Sequence, residues 1–217
     1  MLTVCWAAKG GSGTTVTTAA LGLAHDSPAL AVDLAGDLAP ALGIDTGGAD
    51  GTLDWLAADA PVDRLRLLEL PVTSNLRLIP AGTPSRPALA STPAAADRVR
   101  WRRLAEFLAA EPRMVAVDAG TGEPPPELIE RATVALLVTR SCYLALRRAQ
   151  AQRARPTGVV LVDEPGRSLR DHDVEAAVGA PIVARVLLDP KIARATDAGL
   201  AVSRLPVGCL SALRAVA

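Results

Sequence analysis

Short apolar runs alternate with helix-length segments along almost the whole chain. Runs over residues 2–7, 29–33, 76–80, 114–118, 134–139, 158–162 and 182–187 read as strands, several of them apolar on successive rather than alternate positions. That is the pattern of strands covered on both faces. Between them, residues 14–24, 53–58, 94–110, 126–132, 143–153, 171–178 and 191–198 read as helices. Strand–helix alternation of this kind predicts an α/β fold, a mostly parallel twisted sheet of about seven strands flanked by helices. Pro and Gly punctuate the connections. The longest irregular stretch, residues 81–93, is rich in Pro, Ser and Thr and reads as a surface loop, because the pattern resumes after it. With no internal repeat, the expectation is one domain over 1–217.

Composition adds limits. The 217 residues are half apolar, which excludes disorder as the state of the whole chain. Aromatic residues are scarce, so Ala, Leu and Val fill the core. Lys plus Arg equals Asp plus Glu, and this neutrality argues against a protein whose main task is to hold nucleic acid. Cys5, Cys142 and Cys209 lie far apart in apolar settings, without metal or disulfide spacing, and read as buried free thiols. The first residues carry no basic flank and cleavage pattern, and no apolar run reaches the roughly 20 residues of a membrane span. A cytoplasmic location is expected.

The candidate chemistry begins where strand 2–7 ends. Lys9-Gly10-Gly11-Ser12-Gly13-Thr14-Thr15 leads directly into a helix. A glycine loop between a strand and a helix N-terminus cradles phosphate, because backbone N–H groups converge there and the helix dipole adds positive potential. Thr15 stands where a hydroxyl would ligand Mg²⁺. Against the pattern G-x-x-x-x-G-K-[ST], Ala8 replaces the first glycine and Thr14 replaces the lysine, while Gly13 and Thr15 match. Gly10 to Thr15 are therefore the candidate phosphate ligands.

Read whole, Ala8 to Thr15 resembles the deviant phosphate loop of the ParA/MinD family of P-loop NTPases (SIMIBI class), usually written K-G-G-x-G-K-[ST]. Thr14 at the lysine position is similar to the CpaE/TadZ, septum-site-determining-like branch. Further segments resemble the family in order and spacing. These are Val32-Asp33 through Gly43 (acidic motif and first switch), Leu53-Asp54-Trp55-Leu56, Leu76 to Gly82, Val117-Asp118-Ala119-Gly120-Thr121-Gly122 (second switch), and Leu188-Asp189-Pro190 onward.

The resemblance implies ATP and Mg²⁺ as cofactors and a homodimer in which Lys9 reaches the partner's nucleotide. It implies Asp33 in the Mg²⁺ shell and Asp118 near the γ-phosphate and metal. The family's water-positioning acid falls on Ala35, with Asp37 as substitute. Phosphoryl transfer rests on positioning and charge, so loss of the lysine at Thr14 and of the acid at Ala35 predicts nucleotide binding with weak or absent hydrolysis. Asp163 stands near the place of the family's adenine-reading Asn. A receiver-like domain, which often precedes the loop in the CpaE-like branch, is not expected.

By the same resemblance the protein would position a larger assembly, in pilus or secretion, division-site or partitioning roles, through a protein partner. Two alternatives stand beside it: an active DNA-binding ATPase of chromosome or plasmid segregation, and a nucleotide-free scaffold that keeps the fold. Arg98, Arg100, Arg102 and Arg103 around Trp101, and Arg147, Arg148, Arg153 and Arg155, read first as solvated helix faces whose stems cover apolar surface. DNA binding through them is the second reading. The last residues, 210–217, lack a basic amphipathic helix, so direct membrane binding is not expected.

Overall fold

The structure, a computed structural model, describes residues 1–82 and 95–216. Most of the stretch read as a surface loop over 81–93, and the first residue of the helix read over 94–110, lie outside the described residues. The strands are β1 (Leu2–Ala7), β2 (Ala29–Asp33), β3 (Leu70–Pro71), β4 (Leu76–Ile79), β5 (Met114–Thr121), β6 (Val134–Arg140), β7 (Gly158–Asp163) and β8 (Ile182–Leu187). They form one sheet in the order β3-β4-β2-β5-β1-β6-β7-β8, parallel throughout except for the antiparallel β3–β4 pair. The predicted sheet is present, with one strand more. Leu70–Pro71 is too short to carry a hydrophobic pattern.

The helices are α1 (Thr14–Ala24), α2 (Leu38–Ala41), α3 (Thr52–Ala58), α4 (Ala95–Ala110), α5 (Pro126–Arg131), α6 (Tyr143–Gln150), α7 (Asp171–Val178), α8 (Pro190–Asp197), α9 (Ala201–Arg204) and α10 (Val207–Arg214). A 3₁₀ stretch spans Val62–Leu68. The pattern reading finds neither α2, α9 and α10 nor the 3₁₀ stretch. α2 and α9 are single turns, and α10 is small and interrupted by Gly208, so none shows a full apolar stripe.

Every residue of β1 and β2 is buried, which explains their unbroken apolar runs. Alternation still sorts the side chains. Leu2, Val4 and Trp6 enter a core with Trp55 of α3, Trp101, Leu104 and Leu108 of α4, Leu128 of α5 and Leu146 of α6. Cys5 faces the opposite core with Ala19, Ala20 and Leu21 of α1, Leu38 of α2 and Leu213 of α10. On this side α1 presents Ala19, Ala20 and Gly22 and lies close to the sheet. A Cβ on Gly22 would stand 2.9 Å from Leu76 Cδ1.

Candidate functional site

β1 lies between β5 and β6, so the chain leaves β1 toward one half of the sheet and returns later to the other. At such a switch point the loops beyond the strands' carboxyl ends diverge and leave a crevice. The loop from β1 to α1 sits there. Gly11 (φ 73°) and Gly13 (φ 94°) both adopt the left-handed conformation that a side chain would strain. The Ser12 hydroxyl donates to the Lys9 carbonyl at 2.6 Å and closes the loop on itself. Gly13 caps α1 without a side-chain hydrogen bond, and no acid occupies the first turn. The leading amides of α1 therefore have no side-chain partner of their own.

A cleft of about 840 Å³ opens over this loop, within the size of sites that hold small-molecule ligands. Gly11 to Val16 form its floor, Leu34 to Asp37 and Gly120–Thr121 its walls, and Ala81, Gly82, Thr196 and Asp197 its far rim. Thr14 and Thr15 both line it, Thr14 buried and Thr15 half-buried. Among the described residues no Lys, Arg or His lines the cleft, whereas Asp37 and Asp197 do. Lys9 is half-buried outside the lining, close enough to Cys142 that its charge helps lower that thiol. Of the candidate phosphate ligands, Gly11 to Thr15 thus line the cleft, while Gly10 and the candidate lysine do not join them within one chain.

Asp33 and Asp118 stand side by side as register partners on β2 and β5, both fully buried. Asp33 Oδ1 accepts from the backbone N–H of Ala35 (2.9 Å) and Gly36 (2.8 Å), and Oδ2 from Leu38 (3.0 Å). Asp33 thereby shapes the 34–37 wall and the start of α2. Burial pushes its carboxyl up, against the pull of those amides. Asp118 Oδ1 accepts from Gly120 at 2.9 Å, while Oδ2 is buried without a hydrogen-bond partner. Burial raises its pKa to about 7, the nearby Thr15 hydroxyl pulling down and the charge of Asp33 pushing up. An orphaned buried carboxylate oxygen beside a threonine hydroxyl has the donor set for a hard divalent cation, so these residues fit Mg²⁺. Asp37 is exposed at the rim, at the N-terminus of α2, with no capping bond. β5 runs three residues past Asp118, so this acid lies within the strand rather than at its end.

The wall after β5 is fastened from behind. The Gly122 N–H donates to the Ala7 carbonyl at 2.8 Å. Gln152 Nε2 donates to the Gly122 carbonyl at 2.6 Å, and Gln152 Oε1 accepts from Trp6 Nε1 at 3.0 Å. The Glu123 carboxylate accepts the backbone N–H of Arg153 and Ala154. Thr121, Thr196 and Asp197 fall in segments that carry the resemblance, but Gln152 and Trp6 are not legible as site residues in the sequence, because only the tertiary fold brings them to the loop. A second, largely apolar slot of about 130 Å³ adjoins the loop, lined by Gly13, Val16, Val162, Leu188, Asp189 and Ile192 among others. Asp163 does not line it.

Three of the four arginines around Trp101 are spent within the fold, while Arg102 is exposed and makes no ion pair among the described residues. Arg98 pairs with Glu127 (3.0 Å), Arg103 with Asp59 (2.9 Å), and Arg100 bonds the Leu56 carbonyl (3.1 Å). One sequence expectation fails. Cys142 is not a buried apolar thiol but stands half-buried at the N-terminus of α6, where the Ala145 N–H lowers its pKa. Cys5 and Cys209 are buried as expected, with pKa values raised by burial to about 12 and about 11. No helix among the described residues is long and apolar enough to cross a membrane.

No protein-family model matches the sequence, and no curated protein does. Solved structures do match. The MinD cell division protein of Aquifex aeolicus is 20% identical, covers 99% of this chain and 94% of its own, and superposes with a TM-score of 0.73. A ParA family ATPase from Chlorobium tepidum is 19% identical over 99% and 97% of the two chains, with a TM-score of 0.70. A variant of Cyanothece McdA in complex with ATP is 18% identical over 99% and 94%, with a TM-score of 0.69. At such identities the likeness is one of architecture, and the chain has the fold of the ParA/MinD ATPases.

Proposed function

We propose that this chain is a ParA/MinD-like nucleotide-binding protein that holds ATP with Mg²⁺, dimerises, and positions a larger cytoplasmic assembly, with weak or absent hydrolysis. The observation that carries the reading is the cleft: a glycine loop with uncapped helix amides, a threonine hydroxyl, and an unpartnered buried Asp118 oxygen, but no cationic side chain in its described lining. Gly10 to Thr15 would hold the phosphates, and Thr15, with Asp33 and Asp118 behind it, the metal. The ion would supply the positive charge that phosphates require and this cleft lacks. Asp37, exposed at the rim, is the available acid for orienting water. The small apolar slot beside Gly13 suits a base. Lys9, placed outside its own cleft, suits a role toward a second chain.

Among the similar structures are a MinC:MinD cell division protein complex and a putative plasmid partition protein bound to AMPPNP. These support an organising role and leave pilus, division-site and partitioning assemblies as its candidates. The threonine at position 14 favours the CpaE/TadZ-like branch. Titration with a fluorescent ATP analogue tests the site. Saturable binding that needs Mg²⁺ and weakens about tenfold or more in Thr15→Ala is expected. Binding that ignores both the metal and Thr15 would overturn the assignment.

A further inference from the structure

The chain is neutral overall but its charges are segregated. Residues 10–63 contain eight aspartates and no Lys or Arg, whereas residues 131–162 contain six arginines and no Asp or Glu. Four of those arginines, Arg147, Arg148, Arg153 and Arg155, are exposed and make no ion pair among the described residues. Arg98, Arg100, Arg103, Arg113 and Arg131, by contrast, all have carboxylate partners, and the other exposed arginines without an ion pair among the described residues (Arg64, Arg102, Arg170, Arg194 and Arg204) are scattered along the sequence.

The unpaired arginines lie on α6 and on the connector that follows it. Spacing of three and four residues places Arg147 and Arg148 on the outer face of α6 with Tyr143 and Leu144, which are 68% and 53% exposed. The backbone that carries Arg153 is held by Glu123, which fixes the connector to the body. The acidic counterpart includes Asp45 and Asp50, exposed on the loop between α2 and α3 without a cationic partner among the described residues. That loop belongs to the β2–β4 half of the sheet and the arginines to the β6–β7 half. β2 and β6 are three strand steps apart, roughly 14 Å at the usual interstrand spacing. Charges that far apart are largely screened at moderate ionic strength, and no ion pair joins the two regions among the described residues.

We propose that the α6 arginine surface docks the acidic 42–51 loop region of a second copy of this chain. The contact is head-to-tail, joins two different surfaces, and can therefore propagate beyond two copies. Tyr143 and Leu144 supply its apolar part and the arginines its specificity and salt dependence. Nucleic acid is the less suited occupant, because the chain is neutral overall and the same molecule presents an exposed acidic loop at Asp45 and Asp50 that repels a polyanion.

Sedimentation velocity of the nucleotide-free full chain, across protein concentrations and at low and high salt, tests this apart from any nucleotide site. The sedimentation coefficient should rise with concentration at low salt and return to that of one chain at high salt. The Arg147→Glu, Arg148→Glu, Arg153→Glu, Arg155→Glu chain should lose association by about tenfold or more, as should Asp45→Lys, Asp50→Lys. A mixture of the two variants should associate again, which misfolding of either could not produce. Association indifferent to these charges would overturn the proposal. So would a chain that never self-associates but binds duplex DNA through the same arginines.

Discussion

At the scale of residues, the site is defined by what two positions lack. Asp118 has no partner for one buried oxygen, and its pKa of about 7 lies above that of a free aspartate. A folded-state value raised above the unfolded one means that the folded chain binds the extra proton between the two values. Its contribution to stability is therefore complete only below the unfolded value of about 4 and is lost as pH rises through about 7. Metal-free protein should lose on the order of 2–4 kcal/mol between about pH 5 and about pH 8 from this group. Asp118→Asn should flatten that part of the profile in thermal melts. A variant as pH-sensitive as the parent would show that other groups dominate. The second position is Thr14, which lines the cleft where the phosphate-loop lysine is expected. Thr14→Lys should tighten binding of Mg·ATP about tenfold or more, as a charge-assisted contact of ~1.5–3 kcal/mol allows. Unchanged affinity in calorimetry would mean that position 14 does not face the phosphates. Gly13, Thr14 and Thr15 are legible in the sequence because strand, glycine loop and helix follow one another within a few residues. The hydrogen bonds that occupy Asp33 and the unpartnered oxygen of Asp118 are not, since they depend on backbone brought together across the sheet.

At the scale of elements, one glycine contact decides how a cleft wall is held. A Cβ on Gly43, at the end of α2, would stand 2.2 Å from the Gly199 carbonyl oxygen beyond α8, and Gly43 itself has φ 72°. The wall that starts at Asp33 is thereby seated on the carboxyl-terminal helices that supply Thr196 and Asp197. Gly43→Ala should cost at least about 2 kcal/mol in chemical denaturation, from strain and collision together. Gly48→Ala, with φ 77° but nothing within 4 Å, should cost only about 1 kcal/mol. Equal losses would show that conformational strain alone matters. The long elements follow from apolar periodicity, and β1, β2, α1, α7 and β8 fall where that pattern ends. α2, α9 and α10 escape it because one or two turns packed through Ala, Gly and Cys carry no stripe. Gln152 escapes for a different reason: nothing beside it in the chain marks a residue that ties Trp6 to the Gly122 carbonyl.

At the scale of the whole molecule, the architecture is shared with ParA/MinD ATPases at about one residue in five, while the described cleft has no cationic side chain. The fold can persist at this distance because it asks of its core only apolar volume in the right places. Turnover asks for charge at fixed positions. That contrast is the basis for separating holding from cleaving. The measurement that tests it most directly is Mg·ATP occupancy and phosphate release read on one sample, with protein in excess of its dissociation constant. Saturable occupancy with phosphate release barely above the spontaneous rate is the predicted result. Release at the rate of a phosphate-loop ATPase that retains its lysine, or no saturable occupancy at all, would contradict it.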